Sequence, residues 1–166
     1  MGATSTKGTL VFYAGKMGAG KSTHAQAFAR QNHAVLISED EWLAALYPQE
    51  IRGFDDYIHY SSRLKPLVKK HIIELLSAGT SVVMDFPANT LRQREWFKAI
   101  IQEGPFPYRL IYLQADDQLC LTRLKRRRLD CPERAEFDNE AVFQQVTSYF
   151  QEPDPAEGLI IERISQ

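Results

Sequence analysis

Ten residues from Ala14 to Thr23, AGKMGAGKST, combine three glycines with two lysines and two hydroxyl groups. They lie between an apolar run and a helical run, and they satisfy the pattern G-x-x-x-x-G-K-[ST]. Backbone N–H groups can converge on a polyphosphate only where side chains stay away, and a helix N-terminus adds unpaired donors. We therefore predict a phosphate-binding loop; a plain glycine turn is the structural alternative. Its nucleotide-binding residues are Gly15, Lys16, Met17, Gly18, Ala19, Gly20, Lys21, Ser22 and Thr23.

Three side chains in and after this loop could handle a nucleotide and its metal ion. Lys21 would supply a point charge for the β- and γ-phosphates, and the hydroxyl of Ser22 would ligate Mg²⁺. Asp85 follows the apolar run Val82–Met84 in TSVVMDF, which is the pattern of a carboxylate that holds Mg²⁺ at a strand end. The alternative for Asp85 is an acid that begins the Phe86–Pro87 turn. ATP and Mg²⁺ are the expected cofactors.

The apolar runs that must position these residues alternate with helical patterns along the chain. Continuous apolar runs of this length are typical of strands buried in a parallel sheet, so the alternation predicts an α/β fold. The predicted strands cover residues 9–14, 33–38, 80–86, 108–114 and 158–164. The predicted helices lie near 21–31, 40–46, 55–78, 90–103, 116–128 and 138–151, and Pro66 is expected to kink or split the third.

Length and composition restrict the function classes. The 166 residues, 44% of them hydrophobic, suggest one domain spanning 1–166 with a real core. A formal net charge of −1 gives no global attraction to nucleic acid or to an acidic membrane. No signal-peptide core and no run of membrane-spanning length is visible, and Cys120 and Cys131 match no metal motif. We expect a cytoplasmic protein that does not bind membranes.

Absent motifs narrow the class of phosphate-loop protein. The guanine-reading N-K-x-D and the switch D-x-x-G of Ras-like GTPases do not occur in the sequence. The L-S-G-G-Q element of transporter ATPases is also missing. Small kinases and unusual ATPases are the classes of phosphate-loop protein that these absences leave open.

Four segments occur in the order and spacing of one kinase group: GKMGAGKSTHAQAFA, LISEDEW, VVMDF and LTRLKRRR. The chain resembles the P-loop kinases that include adenylate kinase, polynucleotide kinase, zeta-type toxin kinases and chloramphenicol phosphotransferase. The resemblance implies a three-layer P-loop NTPase fold with five parallel strands in the order 2-3-1-4-5. It also implies transfer of the ATP γ-phosphoryl group to a hydroxyl of a small molecule or of a nucleic-acid end.

The resemblance assigns a role to Asp40 in SEDEW. In the polynucleotide-kinase branch an Asp at this place, just after the second strand, faces the acceptor, and it could take the hydroxyl proton. The alternative is that Asp40 is one of three acids that suit the helix dipole behind a Ser38 cap. An Arg follows that Asp by three residues in polynucleotide kinase, but Leu43 occupies the place here. A small-molecule acceptor is therefore favoured over nucleic acid.

Arg123 and Arg127 are four residues apart and share a helix face. The resemblance to adenylate kinase implies that Arg123 packs on adenine and touches nucleotide, and that Arg127 contacts phosphates. Residues near 129–138 would then form a short lid that excludes water. A solvated basic helix end is the alternative for both arginines.

The acceptor side carries weaker signals. Arg92 and Arg94 could face an acceptor, with Arg94 preferred, although surface positions are an equal alternative. An aromatic acceptor pocket is weighed against ordinary core packing for Trp42, Tyr47, Phe54, Tyr57 and Tyr60. A different class of function also stays open, namely an ATP-binding switch or slow ATPase that serves a protein partner.

Overall fold

The fold is built on one parallel sheet of five strands. A computed structural model describes residues 6–135 and 137–166, so residue 136 of the expected lid and residues 1–5 lie outside it. The strands are β1 (Leu10–Ala14), β2 (Val35–Ser38), β3 (Val82–Pro87), β4 (Tyr108–Gln114) and β5 (Ile161–Ser165). All neighbouring pairs are parallel, in the order β2-β3-β1-β4-β5. The predicted α/β class and strand order are confirmed.

Six α-helices cover the two faces of this sheet within the described residues. They are α1 (Lys21–Gln31), α2 (Glu39–Leu46), α3 (Phe54–Ser77), α4 (Leu91–Glu103), α5 (Asp117–Asp130) and α6 (Glu140–Thr147). Buried residues of α2, α3 and α4 share one core cluster, and those of α1, α5 and α6 share the other. No helix among the described residues is long and apolar enough to cross a membrane.

The central strand explains why its sequence is apolar throughout. All five residues of β1 are buried. Leu10, Phe12 and Ala14 belong to the core under α3 and α4, and Val11 and Tyr13 belong to the core under α1 and α5. Burial on both faces requires a continuous apolar run, and it places the end of β1 in the middle of the sheet's carboxyl edge.

Local signals set the start of several helices. The Ser38 side chain accepts from the Glu41 N–H at the start of α2, and Thr90 and Gln93 form a complete capping box at the start of α4. These caps confirm the predicted helix starts to within one residue. Pro66 lies on an exposed position inside α3, which continues as one helix from Phe54 to Ser77.

The segment between α5 and α6 differs from its predicted extent. Helix α5 continues to Asp130, inside the loop expected at 129–138, and a 3₁₀ turn follows at Pro132–Arg134. Asn139 then caps α6 by accepting from the Val142 N–H, so this helix begins at Glu140 instead of 138. The connection is therefore shorter than the sequence suggested.

Arg94 is a structural residue in this fold and not an acceptor-facing one. Its side chain is 1% exposed, and its Nε donates to Glu157 Oε1 at 2.6 Å. Its Nη1 donates to the Ala88 carbonyl at 2.9 Å, which fixes the turn after β3. The preference for Arg94 over Arg92 at an acceptor site was wrong, because long-range pairing with Glu157 uses its donors.

Replacing Arg94 by Ala should lower the free energy of unfolding by about 3–5 kcal/mol, because it leaves the carboxylate of Glu157 partly buried and unpaired. Urea unfolding measures the change. Arg92→Ala, an exposed arginine on the same turn, is the matched control and should change stability by less than about 0.5 kcal/mol. Equal losses in the two variants would contradict the structural role.

Candidate nucleotide-binding and phosphoryl-transfer site

The predicted phosphate-binding loop joins the end of β1 to the start of α1 at the carboxyl edge of the sheet. Gly18 has φ +83°, and a Cβ there would lie 2.8 Å from the Cys120 carbonyl oxygen. Gly20 has φ +96° at the N-cap of α1, and glycine has no side chain to cap the first amides of that helix. The loop thus keeps backbone N–H groups of α1 accessible to an anion.

Contacts from other elements fix the shape of the loop. The Gly15 N–H donates to Asn89 Oδ1 at 2.9 Å, and the Asn89 N–H donates to Gln93 Oε1 at 2.8 Å. On the other side, Lys16 forms an ion pair with Asp117 at 2.7 Å. Sequence reasoning did not find Asn89, since nothing in its local pattern shows that it reaches a loop 74 residues earlier.

Lys21 lies where a polyphosphate charge would be neutralised. Its Nζ donates to the Gly15 carbonyl and, at 3.3 Å, to the Lys16 carbonyl. Burial lowers the pKa of the Lys21 ammonium to about 8, although the negative charges of Asp85 and Asp40 oppose this shift. A partly buried cation whose hydrogen bonds, among residues 6–135 and 137–166, go to neutral carbonyl oxygens is prepared for an anionic partner.

Ser22 and Asp85 form an oxygen donor pair beside this lysine. Burial raises the pKa of the Asp85 carboxyl, the negative charge of Asp40 raises it further, and the Ser22 hydroxyl opposes the rise by hydrogen bonding. Hydroxyl and carboxylate oxygens with excess negative charge fit Mg²⁺. Among the described residues no cluster of three His, Cys, Asp or Glu could hold a metal.

The acids after β2 divide into a buried one and an exposed one. Glu39 is 2% exposed and accepts hydrogen bonds from the hydroxyls of Tyr57 and Ser61, the latter at 2.7 Å. Asp40 is exposed at the surface, and its charge acts on Lys21 and Asp85. Glu39, which sequence reasoning treated as a helix-dipole acid, therefore anchors α2, the helix that carries Asp40, on α3.

Arg123 contacts the phosphate-binding loop directly. Its Nη1 donates to the Ala19 carbonyl at 3.0 Å, and its Nη2 donates to Gln166 Oε1 at 2.8 Å. The Gln166 amide also donates to the Ala19 carbonyl, at 2.7 Å. The structure thus brings Arg123 next to the loop, and its contact with a nucleotide stays a prediction.

Arg127 shares a buried acid with a second arginine. Both Nε and Nη2 of Arg127 donate to the Asp138 carboxylate at 2.7 Å, and Arg134 Nε donates to it at 2.9 Å. Burial alone would raise the pKa of Asp138, but the two guanidinium groups together hold it below its usual value. Asp138 and Arg134 were not singled out from the sequence, because only their pairing with α5 distinguishes them.

The aromatic residues expected at the acceptor side mostly fill the core. Trp42, Tyr47, Tyr57 and Tyr60 pack against the cluster under α3 and α4, and the rings of Tyr47 and Tyr60 lie 4.3 Å apart. Phe54 stacks on Tyr149 with ring centroids 5.6 Å apart. Core packing accounts for these contacts, and an acceptor pocket remains a prediction.

Residues 10–153 match the family model described as AAA domain. The chain belongs to the AAA domain family. No curated protein sequence matches this AAA domain.

Solved structures with the same fold as this AAA domain include P-loop kinases, as the resemblance implied. A candidate kinase from Chloroflexus aurantiacus is 18% identical, with coverage of 98% of this chain and 87% of its own and a TM-score of 0.74. APS kinase CysC of Mycobacterium tuberculosis, bound to AMPPNP and APS, is 18% identical; the match covers 96% of this chain and 88% of that one, with a TM-score of 0.64. Kti12 of Chaetomium thermophilum, bound to ADP-AlF3, is 16% identical; the match covers 94% of this chain and 88% of that one, with a TM-score of 0.66. At these identities the likeness establishes the P-loop NTPase fold.

Asp85→Asn should raise the thermal midpoint of the nucleotide-free AAA domain at pH 7. The raised pKa means that ionised Asp85 destabilises the folded state. This destabilisation is fully present above the pKa that Asp85 has in the folded protein and is absent below the pKa that it has in the unfolded chain. The gain should therefore disappear near pH 4 or below.

The same Asp85→Asn variant should lose most of the Mg²⁺ dependence of ATP affinity, as measured by calorimetry with Mg²⁺ or with EDTA. Asp130→Asn, at the exposed end of α5, is the control for loss of one carboxylate. A variant that is no more stable than the wild type at pH 7, or that keeps full Mg²⁺ dependence, would contradict the assignment.

Binding of MgATP at about pH 9 should be accompanied by proton uptake. The Lys21 ammonium has a pKa lowered to about 8, and a bound polyphosphate favours the charged form, so affinity should fall up to tenfold per pH unit above about 8. Calorimetry in two buffers of different ionisation enthalpy measures the uptake. Lys21→Arg stays charged and should show none; equal uptake in both proteins would exclude Lys21 as its source.

Proposed function

We propose that this AAA domain is an ATP-dependent phosphotransferase that moves the γ-phosphoryl group to a hydroxyl of a small molecule. One observation carries the proposal. Lys21, Asp40 and Asp85 follow or lie near the ends of three adjacent parallel strands at one edge of the sheet, where their charges interact. We assign phosphate binding to Lys21, proton acceptance to Asp40 and, together with Ser22, Mg²⁺ binding to Asp85. P-loop kinases among the structural neighbours, including one solved with AMPPNP, support ATP as the donor.

Each residue has a defined part in the proposed transfer. The acceptor oxygen forms a bond to the γ-phosphorus while the bond between that phosphorus and the β–γ bridging oxygen breaks, and ADP leaves. Asp40 receives the hydroxyl proton as the oxygen attacks. Lys21 balances the charge on the β- and γ-phosphates, Arg123 holds the nucleotide side of the loop, and Arg127 contacts the transferred group.

Mg²⁺ would be held by Ser22 and Asp85, and when bound it would neutralise phosphate charge. Two features of the sequence favour a small molecule as the acceptor. Leu43 stands where an arginine would recognise a nucleic-acid phosphate, and the net charge of the whole chain is −1. The two cysteines are unpaired, which is consistent with the proposed cytoplasmic location.

Asp40→Asn should leave MgATP affinity within about twofold of the wild type and should lower phosphoryl transfer by about 10²–10⁴-fold. Because the acceptor is unidentified, transfer is first measured with γ-labelled ATP against a panel of hydroxyl metabolites and oligonucleotides. Glu41→Gln removes the neighbouring exposed carboxylate and is the matched control.

Two outcomes would contradict this function. Undiminished transfer by Asp40→Asn would exclude Asp40 as the proton acceptor. MgATP binding without transfer to any member of the panel would favour the nucleotide switch, which would use the same loop without an acceptor.

A further inference from the structure

Asp138 is buried at the point where the segment after α5 folds back on the helix. Its side chain has no exposed surface, whereas the side chains of Arg127 and Arg134 are 39% and 38% exposed. Arg128 adds a hydrogen bond to the Asp138 carbonyl at 3.3 Å. One carboxylate therefore gathers two guanidinium groups that would otherwise repel each other at the surface.

The hydrogen bonds use the same edge of each guanidinium group. Asp138 accepts from Nε and Nη2 of Arg127 at 2.7 Å, and from Nε and Nη2 of Arg134 at 2.9 and 3.4 Å. An arginine has five N–H donors, so with respect to the residues that the structure describes, Nη1 of each side chain keeps its two donors for another partner. The trio has a net charge of +1, which suits an anion.

Both arginines lie close enough to the proposed reaction site to affect its charged groups. The positive charge of Arg127 acts on Lys21, and the negative charge of Asp40 acts on Arg134. Arg127 follows Arg123 by one turn of α5, and Arg123 Nη1 donates to the Ala19 carbonyl of the phosphate-binding loop at 3.0 Å, so the helix that contacts this loop also carries one of the two arginines. A γ-phosphate between Lys21 and Asp40 would therefore lie within the field of both.

We propose that Asp138 is a positioning residue that holds Arg127 and Arg134 as a preformed pair for the γ-phosphate, and that Arg134 is a second phosphate-contacting arginine. The inference rests on the proposed binding of ATP. Fixing two long side chains before the ligand arrives removes part of the conformational entropy that binding would otherwise cost. The retained Nη1 donors then form charge-assisted hydrogen bonds with the terminal phosphate.

The ratio of MgATP to MgADP affinity separates this role from a general structural one. Contacts to the γ-phosphate strengthen ATP binding alone, whereas damage to the loop weakens both nucleotides. Calorimetry with MgATP and with MgADP measures the ratio for the wild type, Asp138→Asn and Arg134→Gln. Asp130→Asn and Arg126→Gln, which change exposed residues of α5, are the matched controls for charge.

We expect Asp138→Asn and Arg134→Gln each to lower the ATP-to-ADP affinity ratio by about tenfold or more and to leave MgADP affinity within about twofold. The two controls should keep the wild-type ratio. Arg134→Gln removes an exposed guanidinium group, so it tests the proposal even if Asp138→Asn fails to fold.

Other outcomes would overturn the proposal in distinguishable ways. A wild type that binds neither nucleotide would refute the proposed function itself. A wild type that binds ATP but does not prefer it to ADP, or unchanged ratios in both variants, would refute the arginine pair alone. Tighter MgATP binding by Asp138→Asn would show that Asp138 competes with phosphate.

Discussion

The ammonium of Lys21 turns back on the loop that precedes it, and within the described part of the chain the carbonyl oxygens of Gly15 and Lys16 accept its hydrogen bonds. Burial opposes its charge, and the nearby carboxylates only partly compensate, which is why its pKa is lowered. Asn89 and Asp117 bind Gly15 and Lys16 and so hold the loop in this shape. A bound polyphosphate would supply the missing negative charge. Because the ammonium is already in position, binding would not require it to be reoriented.

The carboxyl edge of the parallel sheet brings the other charges to this lysine. β1 and β3 are neighbours, so the loop after β1 and Asp85 near the end of β3 are adjacent. β2 lies on the far side of β3 and ends just before Asp40. The strand order therefore assembles residues that are up to 64 positions apart in sequence into one site.

Buried polar pairs keep the surrounding segments in place. Glu39 ties α2 to Tyr57 and Ser61 of α3, Arg94 ties the turn after β3 to Glu157, and Asp138 ties the segment after α5 to its arginines. In each case a buried charge accepts or donates several hydrogen bonds, as its burial requires. These pairs hold in position the exposed groups to which we assign chemistry.

The sequence alone determined the features that depend on local pattern. The spacing of glycines, lysine and serine specifies the phosphate-binding loop, continuous apolar runs specify buried parallel strands, and Ser38 and Thr90 specify helix starts. Only the tertiary structure decided the partners of Asn89, Arg94 and Asp138, which lie 74, 63 and 11 residues away from the groups they bind. The physical reason is that a loop or a strand is specified by neighbours along the chain, whereas a buried ion pair depends on which elements the sheet order brings into contact.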